Sequence, residues 1–301
     1  MTHAETNSLL ETLKNHPVIL DGAVGTELDN RGMDTRSTLW SGLASLKQPG
    51  LLEEVHREYV DAGAQILTTA TFRTTERAFM AAGRPADQWR MAAREAVRIA
   101  RRAATDRIIV AGCVAPLEDC FSPEMAPNGK EARNAHSKLC RELVSAGVDA
   151  LWLETFGALG ELEAAVSAAI DAGQSHRFGV SVTTDASGDL ISGESLMDAA
   201  ELARSSGAVC FCINCIPPNH VEAALAKLVS RVDLPIGIYA NLGFAEGTQD
   251  WKGSAHLSPP AYARLAAGWV HSGVRLIGGC CGSTPAHVSA LSSYFTRKPS
   301  S

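Results

Sequence analysis

Ala146-Gly-Val-Asp-Ala-Leu-Trp-Leu-Glu154 decides the fold. A helix over 130–146 stops at Gly147, because glycine leaves a helix without the steric penalty of a Cβ. A short apolar run follows and ends in an acid. The same arrangement recurs along the chain. An Ala-Gly or Ser-Gly stop at Gly63, Gly147, Gly173, Gly207 and Gly273 feeds an apolar run each time. Strands are predicted at 18–22, 64–69, 107–114, 148–154, 177–183, 208–214, 234–240 and 274–279. Helices are predicted at 49–62, 86–102, 130–146, 160–172, 195–205, 219–230, 259–271 and from Pro285 onward. In the first of these, Leu51, Leu52, Val55 and Tyr59 fall at helical spacing.

Continuous apolar strands alternating with helices describe a parallel sheet covered on both faces. Eight such units in 301 residues match a single closed (β/α)8 TIM barrel in number and length. The competitor is an open doubly wound sheet, which would carry an early glycine-rich phosphate turn. Gly22-Ala-Val-Gly25 only echoes that turn. The expected organisation is a lead-in helix over 1–16, a barrel over 17–295 and a disordered tail over 296–301.

Composition narrows the function. Apolar residues are 46% of the chain, and 27 basic residues face 33 acidic ones for a net charge of −6. With no basic block, neither nucleic acid nor an anionic membrane is an expected partner. The first sixteen residues are polar and mixed in charge, which does not fit a secretory signal. No apolar run approaches the roughly 20 residues that span a bilayer. A cytoplasmic protein is expected, as a monomer or a small homo-oligomer.

Eight cysteines in such a chain do not read as a disulfide framework. Cys113, Cys210 and Cys212 sit within apolar runs and read as small buried hydrophobes. Cys215, Cys280 and Cys281 differ, because they follow strands and sit beside turn residues. In a (β/α)8 barrel the strand C-termini build the active site. Asp21, Thr68–Thr71, Glu154, Asn214, Cys215, Tyr239–Asn241, Cys280 and Cys281 all fall there. Strands 6 and 8 would set Cys215 and Cys280 facing each other across the barrel top. Cys280 and Cys281 can serve one ion only if the strand breaks, which Gly278, Gly279 and Gly282 permit. Three thiolates suit Zn²⁺ and leave one tetrahedral position open, the mark of a catalytic site. The plainer alternatives are a buried or vicinally oxidised cysteine pair, ion-paired acids at Asp21 and Glu154, and a turn role for Asn214.

Leu20-Asp-Gly-Ala-Val-Gly-Thr-Glu-Leu28, Leu39-Trp-Ser41, Gly63-Ala-Gln-Ile-Leu-Thr-Thr-Ala-Thr-Phe72, Leu153-Glu-Thr155, Asn214-Cys215 and Gly278-Gly-Cys-Cys-Gly-Ser-Thr-Pro285 together resemble the homocysteine S-methyltransferase family nearly end to end. The resemblance implies a zinc-dependent barrel enzyme that methylates homocysteine, and hence a part in methionine biosynthesis. It implies zinc on Cys215, Cys280 and Cys281, the homocysteine amine on Asp21 and Glu154, and its carboxylate near Gly22 and Thr71. The short members that use S-methylmethionine are the nearest in pattern. Trp40, Phe72 and Asn214 are the candidate donor-binding residues, the two aromatics offering ring faces to a methyl-sulfonium. Tyr239-Ala-Asn-Leu-Gly-Phe244 departs from the Asn-Ser-Gly-Glu expected there. Thr155 replaces the tyrosine of betaine-using relatives. Alternatives are a betaine or S-adenosylmethionine donor, another thiol or selenol acceptor, and a non-catalytic zinc- or amino-acid-binding barrel. A barrel lyase would want a strand-end lysine, and none is present. The segments 121–128 and 244–258 are the candidate lids.

Overall fold

Gly147 closes its helix in the left-handed region, at φ +94°, and the chain drops into the buried strand that the sequence predicts. The structure, a computed structural model, describes residue 13 and residues 16–243 and 257–296. In chain order the strands are β1 (Val18–Ile19), β2 (Ile66–Thr68), β3 (Ile109–Val114), β4 (Ala150–Phe156), β5 (Phe178–Val182), β6 (Phe211–Asn214), β7 (Ile236–Tyr239) and β8 (Val274–Ile277). The helices are α1 (Val24–Asn30), α2 (Ala44–Lys47), α3 (Pro49–Asp61), α4 (Glu76–Ala81), α5 (Gln88–Ala103), α6 (Gly129–Ala146), α7 (Leu159–Asp171), α8 (Leu196–Ser205), α9 (Val221–Leu228), α10 (Pro259–His271) and α11 (Pro285–Thr296).

The eight strands form one sheet in the order β1-β8-β7-β6-β5-β4-β3-β2. All its pairings are parallel. A parallel bridge between Leu20 and Ile66 joins the two ends. Gln65 N donates to Ile19 O at 2.7 Å and Asp21 N to Ile66 O at 3.0 Å, closing the ring. The (β/α)8 barrel is therefore as the sequence predicts. No described helix is long and apolar enough to cross a membrane. Of the expected lead-in helix only Leu13 and His16 are described. Of the expected tail only Thr296 is.

Side chains of a strand alternate between its two faces, which separates two cores. The outward set packs under the helices, with Ile19, Leu67, Leu153, Phe178, Val180, Phe211 and Ile213 among it. The inward set fills the lumen and includes Val18, Leu20, Ile66, Ile109, Ala111, Trp152, Cys210, Cys212 and Leu276, with Leu13 against them. One step further along the inward faces come Thr68, Cys113, Glu154, Ser181, Asn214 and Tyr239. That polar layer is the floor of the site.

Candidate active site

The three cysteines expected to act together do converge. Cys215, Cys280 and Cys281 place their sulfurs within 4.8 Å of one another, and Cys215 Sγ lies 3.7 Å from Cys281 Sγ. They do not meet across the barrel, as the strand numbers alone predicted. They sit astride β7: Cys215 N donates to Tyr239 O at 3.1 Å, Cys280 N to Ala240 O at 3.0 Å and Leu242 N to Cys281 O at 2.8 Å. Strands 6, 7 and 8 are neighbours, so the segments following them lie side by side.

Two backbone departures make this possible. Regular alternation would turn Cys215 away from Asn214 and out toward the helices. Cys215 instead takes φ +56°, a conformation costly to a side-chain-bearing residue. After β8 the chain breaks at the glycines. Gly282 has φ +79°, and a Cβ there would lie 2.0 Å from Gly243 O. Gly278 and Gly279 serve close approach instead: a Cβ on Gly278 would sit 2.8 Å from Leu20 Cβ, and one on Gly279 would sit 2.3 Å from Ser283 Oγ.

The thiols are supplied with donors. Asn241 Nδ2 lies 3.6 Å from Cys215 Sγ, and Asn214 Nδ2 lies 4.0 Å from Cys280 Sγ. Donation from Cys215 and Cys281 holds the Cys280 thiol well below its usual range. Bonding to Cys280 and Cys281, with burial, pushes Cys215 up. Among the described residues the group offers these three ligands and no fourth.

Asp21 and Glu154 lie beside the thiols in one cleft that opens to solvent. Asp21 accepts from Thr68 N at 2.8 Å and from Thr68 Oγ1 at 3.2 Å. Glu154 Oε2 accepts from Cys113 Sγ at 3.0 Å. Burial first, and the negative charge at Cys280 second, push Glu154 up to about 7. Burial pushes Asp21 well above the carboxylate range, against the pull of the Thr68 amide. Among the described residues neither acid has an ion pair, while Glu142, also buried, has two arginine partners. Two buried carboxylates without a cation form a site that favours one.

Gly22, Trp40 and Phe72 line the same cleft, together with Thr68, Thr69, Cys113, Cys120, Phe121 and Tyr239. Trp40 and Phe72 stand with ring centroids 6.2 Å apart and planes tilted by 60°. Gly25 gives Trp40 its place, since a Cβ there would approach the indole Nε1 to 2.8 Å. Phe121, in one of the two expected lid segments, lines the cleft; the other segment lies mostly outside the described residues.

Two expected residues take other places. Thr71 is fully buried; its hydroxyl bonds Cys113 O at 2.7 Å and Thr69 Oγ1 at 2.8 Å, so it braces β2 against β3 instead of facing the cleft. Asn214 is also fully buried. Ser181 Oγ donates to its Oδ1 at 2.6 Å and its Nδ2 donates to Thr155 Oγ1 at 2.7 Å, which ties it behind Cys280 and leaves it out of the cleft lining. Conversely, Cys113 is more than filler, and Tyr239 and Asn241 carry contacts that strand-end position alone did not assign. Counting two residues along the inward faces from Ala111, Trp152, Cys212 and Gly237 would have found Cys113, Glu154, Asn214 and Tyr239 as one layer.

The fold and this mouth define a class: a (β/α)8 barrel enzyme with a cluster of three thiols placed to hold a metal beside paired buried acids. Comparison with known proteins narrows it. The family model described as Homocysteine S-methyltransferase matches residues 18–295, and the chain belongs to that family of methyltransferases. The Homocysteine S-methyltransferase of Escherichia coli (strain K12) is 33% identical, over 92% of this chain and 95% of its own. A Selenocysteine Se-methyltransferase of Brassica oleracea var. italica is 27% identical, over 96% of this chain and 93% of its own. The metallated form of the Escherichia coli Homocysteine Methyltransferase MmuM superposes with a TM-score of 0.82 at 29% identity, over 96% of this chain and 99% of that one.

Proposed function

We propose that the protein transfers a methyl group from S-methylmethionine, or a related methyl-sulfonium, to homocysteine, giving methionine in the cytoplasm, with zinc held by Cys215, Cys280 and Cys281. The spacing of the sulfurs supports the metal. A tetrahedral thiolate site with bonds of about 2.3 Å puts its sulfurs roughly 3.8 Å apart, and Cys215 and Cys281 stand 3.7 Å apart. Zinc at that place supplies the Lewis acidity that keeps the acceptor sulfur as a thiolate at neutral pH.

The chain's own residues do the rest. Asp21 and Glu154 take the α-ammonium of homocysteine, and the backbone beside Gly22 takes its carboxylate. The bound ammonium restores both acids to their ionised form. Trp40 and Phe72 offer ring faces to the sulfonium. Transfer forms one sulfur–carbon bond and breaks another, in line. The electron pair of the broken bond stays on the donor sulfur, which leaves as a neutral thioether. No general base is needed once the acceptor is a thiolate, and with S-methylmethionine both products are methionine.

The observation that carries this reading is the convergence of three thiols on two buried acids that lack a cation. The test combines metal analysis with a donor panel. Purified protein is assayed for zinc, then mixed with homocysteine and S-methylmethionine, S-adenosylmethionine or betaine in turn. Methionine should form fastest from S-methylmethionine and cease on chelation. Fastest turnover with betaine would move the donor to another class. Turnover in metal-free protein would remove the zinc mechanism. Selenocysteine belongs in the acceptor panel, given the Brassica relative.

A further inference from the structure

We propose that Cys113 is a positioning residue for homocysteine recognition: its thiol sets the Glu154 carboxylate in the orientation that grips the substrate amine, which rests on the assignment of that amine to Glu154.

Glu154 sits where β4 loses its regularity. The pairing of β4 with β5 shifts register between Leu153 and Phe156, and the next residue, Thr155, has φ +66°. A regular strand would aim the side chain by alternation alone. Here the carboxylate needs a holder, as Asp21 has one in Thr68. Cys113 is placed for that task. It pairs with Trp152 across β3 and β4, and Glu154 is two residues further along the same face. Cys113 Sγ donates to Glu154 Oε2 at 3.0 Å, and both residues line the cleft. Burial first, and the charge of Glu154 second, push that thiol well above its usual range, so it keeps the proton it donates. The carboxylate has lone pairs left for a ligand in the cleft.

The thiol is itself aimed. Strand β2 ends at Thr68, and beyond it two hydroxyls take the place of the ladder. Cys113 N donates to Thr69 Oγ1 at 3.0 Å, and Thr71 Oγ1 donates to Cys113 O at 2.7 Å. The two hydroxyls lie 2.8 Å apart. Thr71 has one proton and gives it to Cys113, so Thr69 must donate to Thr71. The bonds form a closed circuit from Cys113 N through both threonines back to Cys113 O, every donor pointing the same way round. All three residues are buried. The circuit fixes the Cys113 backbone, and with it the direction in which Cβ carries the sulfur. Cys113 is not one of the three clustered thiols, so replacing it removes none of the proposed metal ligands.

The experiment compares homocysteine with γ-mercaptobutyrate, the same thiol acid without its amine, in zinc-loaded enzyme. The readout is the ratio of kcat/KM for the two acceptors. Cys113→Ala removes the hydrogen-bond donor and should lower that ratio about tenfold, the low end for a hydrogen bond to a charged group, because a thiol is a weak donor. Cys113→Ser returns a donor and should keep the ratio within about threefold of the wild type. An unchanged ratio in Cys113→Ala overturns the proposal. Equal loss with both acceptors means general damage and overturns it too. A Cys113→Ser variant with a ratio as low as that of Cys113→Ala means lost packing and does the same. Glu154→Gln shows where a failure lies. If it collapses the ratio while Cys113→Ala does not, the amine stays on Glu154 and the role of Cys113 falls. If Glu154→Gln leaves the ratio intact, both fall.

Discussion

Two cysteine pairs in this barrel have nearly the same geometry and opposite fates. In the lumen, Cys212 Sγ lies 3.8 Å from Cys210 Sγ; at the mouth, Cys215 Sγ lies 3.7 Å from Cys281 Sγ. The lower pair sits two residues apart, Cys210 just before β6 and Cys212 within it, among Val18, Leu20, Trp152 and Leu276. Burial there pushes the Cys212 thiol well up, so it stays protonated and inert. The upper pair has a third thiol, two asparagine amides and a broken backbone around it. Sulfur spacing alone therefore does not make a metal site, though a metal site needs it. What makes one is a supply of donors to the thiolate and a strand end that frees the side chains from alternation.

Losing one mouth thiol should break that contrast most severely. Cys281→Ser is expected to lose bound zinc and to lower methionine formation about a thousandfold or more, as removal of a catalytic metal does. Elemental analysis beside an activity assay checks it, and full activity without zinc would end the comparison.

A second expectation concerns a polar group buried where no partner waits. His56, fully buried in α3, has neither ring nitrogen bonded among the described residues, and burial pushes it down to about 4. Unfolded, it titrates near 6.5. Above that pH both states are neutral and the protein keeps its full stability. Below it the unfolded chain takes up a proton that the folded chain refuses until about pH 4. Between those values the protein should lose about 3 kcal/mol. Denaturation at pH 7 and at pH 4.5 measures the slope, and His56→Leu should flatten it; an unaltered slope assigns the acid sensitivity elsewhere.

The amides sharpen the contrast more finely. Asn241→Ala removes the donor to Cys215 and should weaken zinc binding by about 10- to 100-fold, read by competition with a chromogenic chelator. The lower pair should show the smallest effect. Cys212→Ala should cost about 1 kcal/mol through a small cavity, with zinc content unchanged and activity within about twofold of wild type.

Much of this was legible in the chain. Gly63, Gly147, Gly173, Gly207 and Gly273 all adopt positive φ, as helix stops before buried strands should. Helix α10 runs over Pro259–His271, where the pattern put it. Strand β1 is shorter than predicted, because after Ile19 the chain makes only a single bridge at Leu20 before Asp21 turns toward Thr68. Helices α1, α2 and α4 were not legible. Helix α1 has seven residues and no side-chain cap, too little local signal to nucleate alone; burial of Val24 and Leu28 against the barrel forms it. At the site, residue type and strand-end position picked out the thiols and acids. They could not tell Thr71, spent on bracing β3, from Thr68, which meets Asp21. That distinction depends on the turn after β2, where Thr71 N bonds Thr69 O and the side chain swings toward Cys113.

The parallel contact of β8 with β1 has a consequence for the order of events in synthesis. Cys215 waits for a partner 66 residues downstream, and that partner immediately follows the strand that closes the ring. A chain emerging from the ribosome can form seven strands and still own a single mouth thiol. The proposed metal site is thus complete only once the last strand has been made. Zinc uptake should serve as a clock for the last step of folding, and a nascent chain stalled before Val274 should take up none.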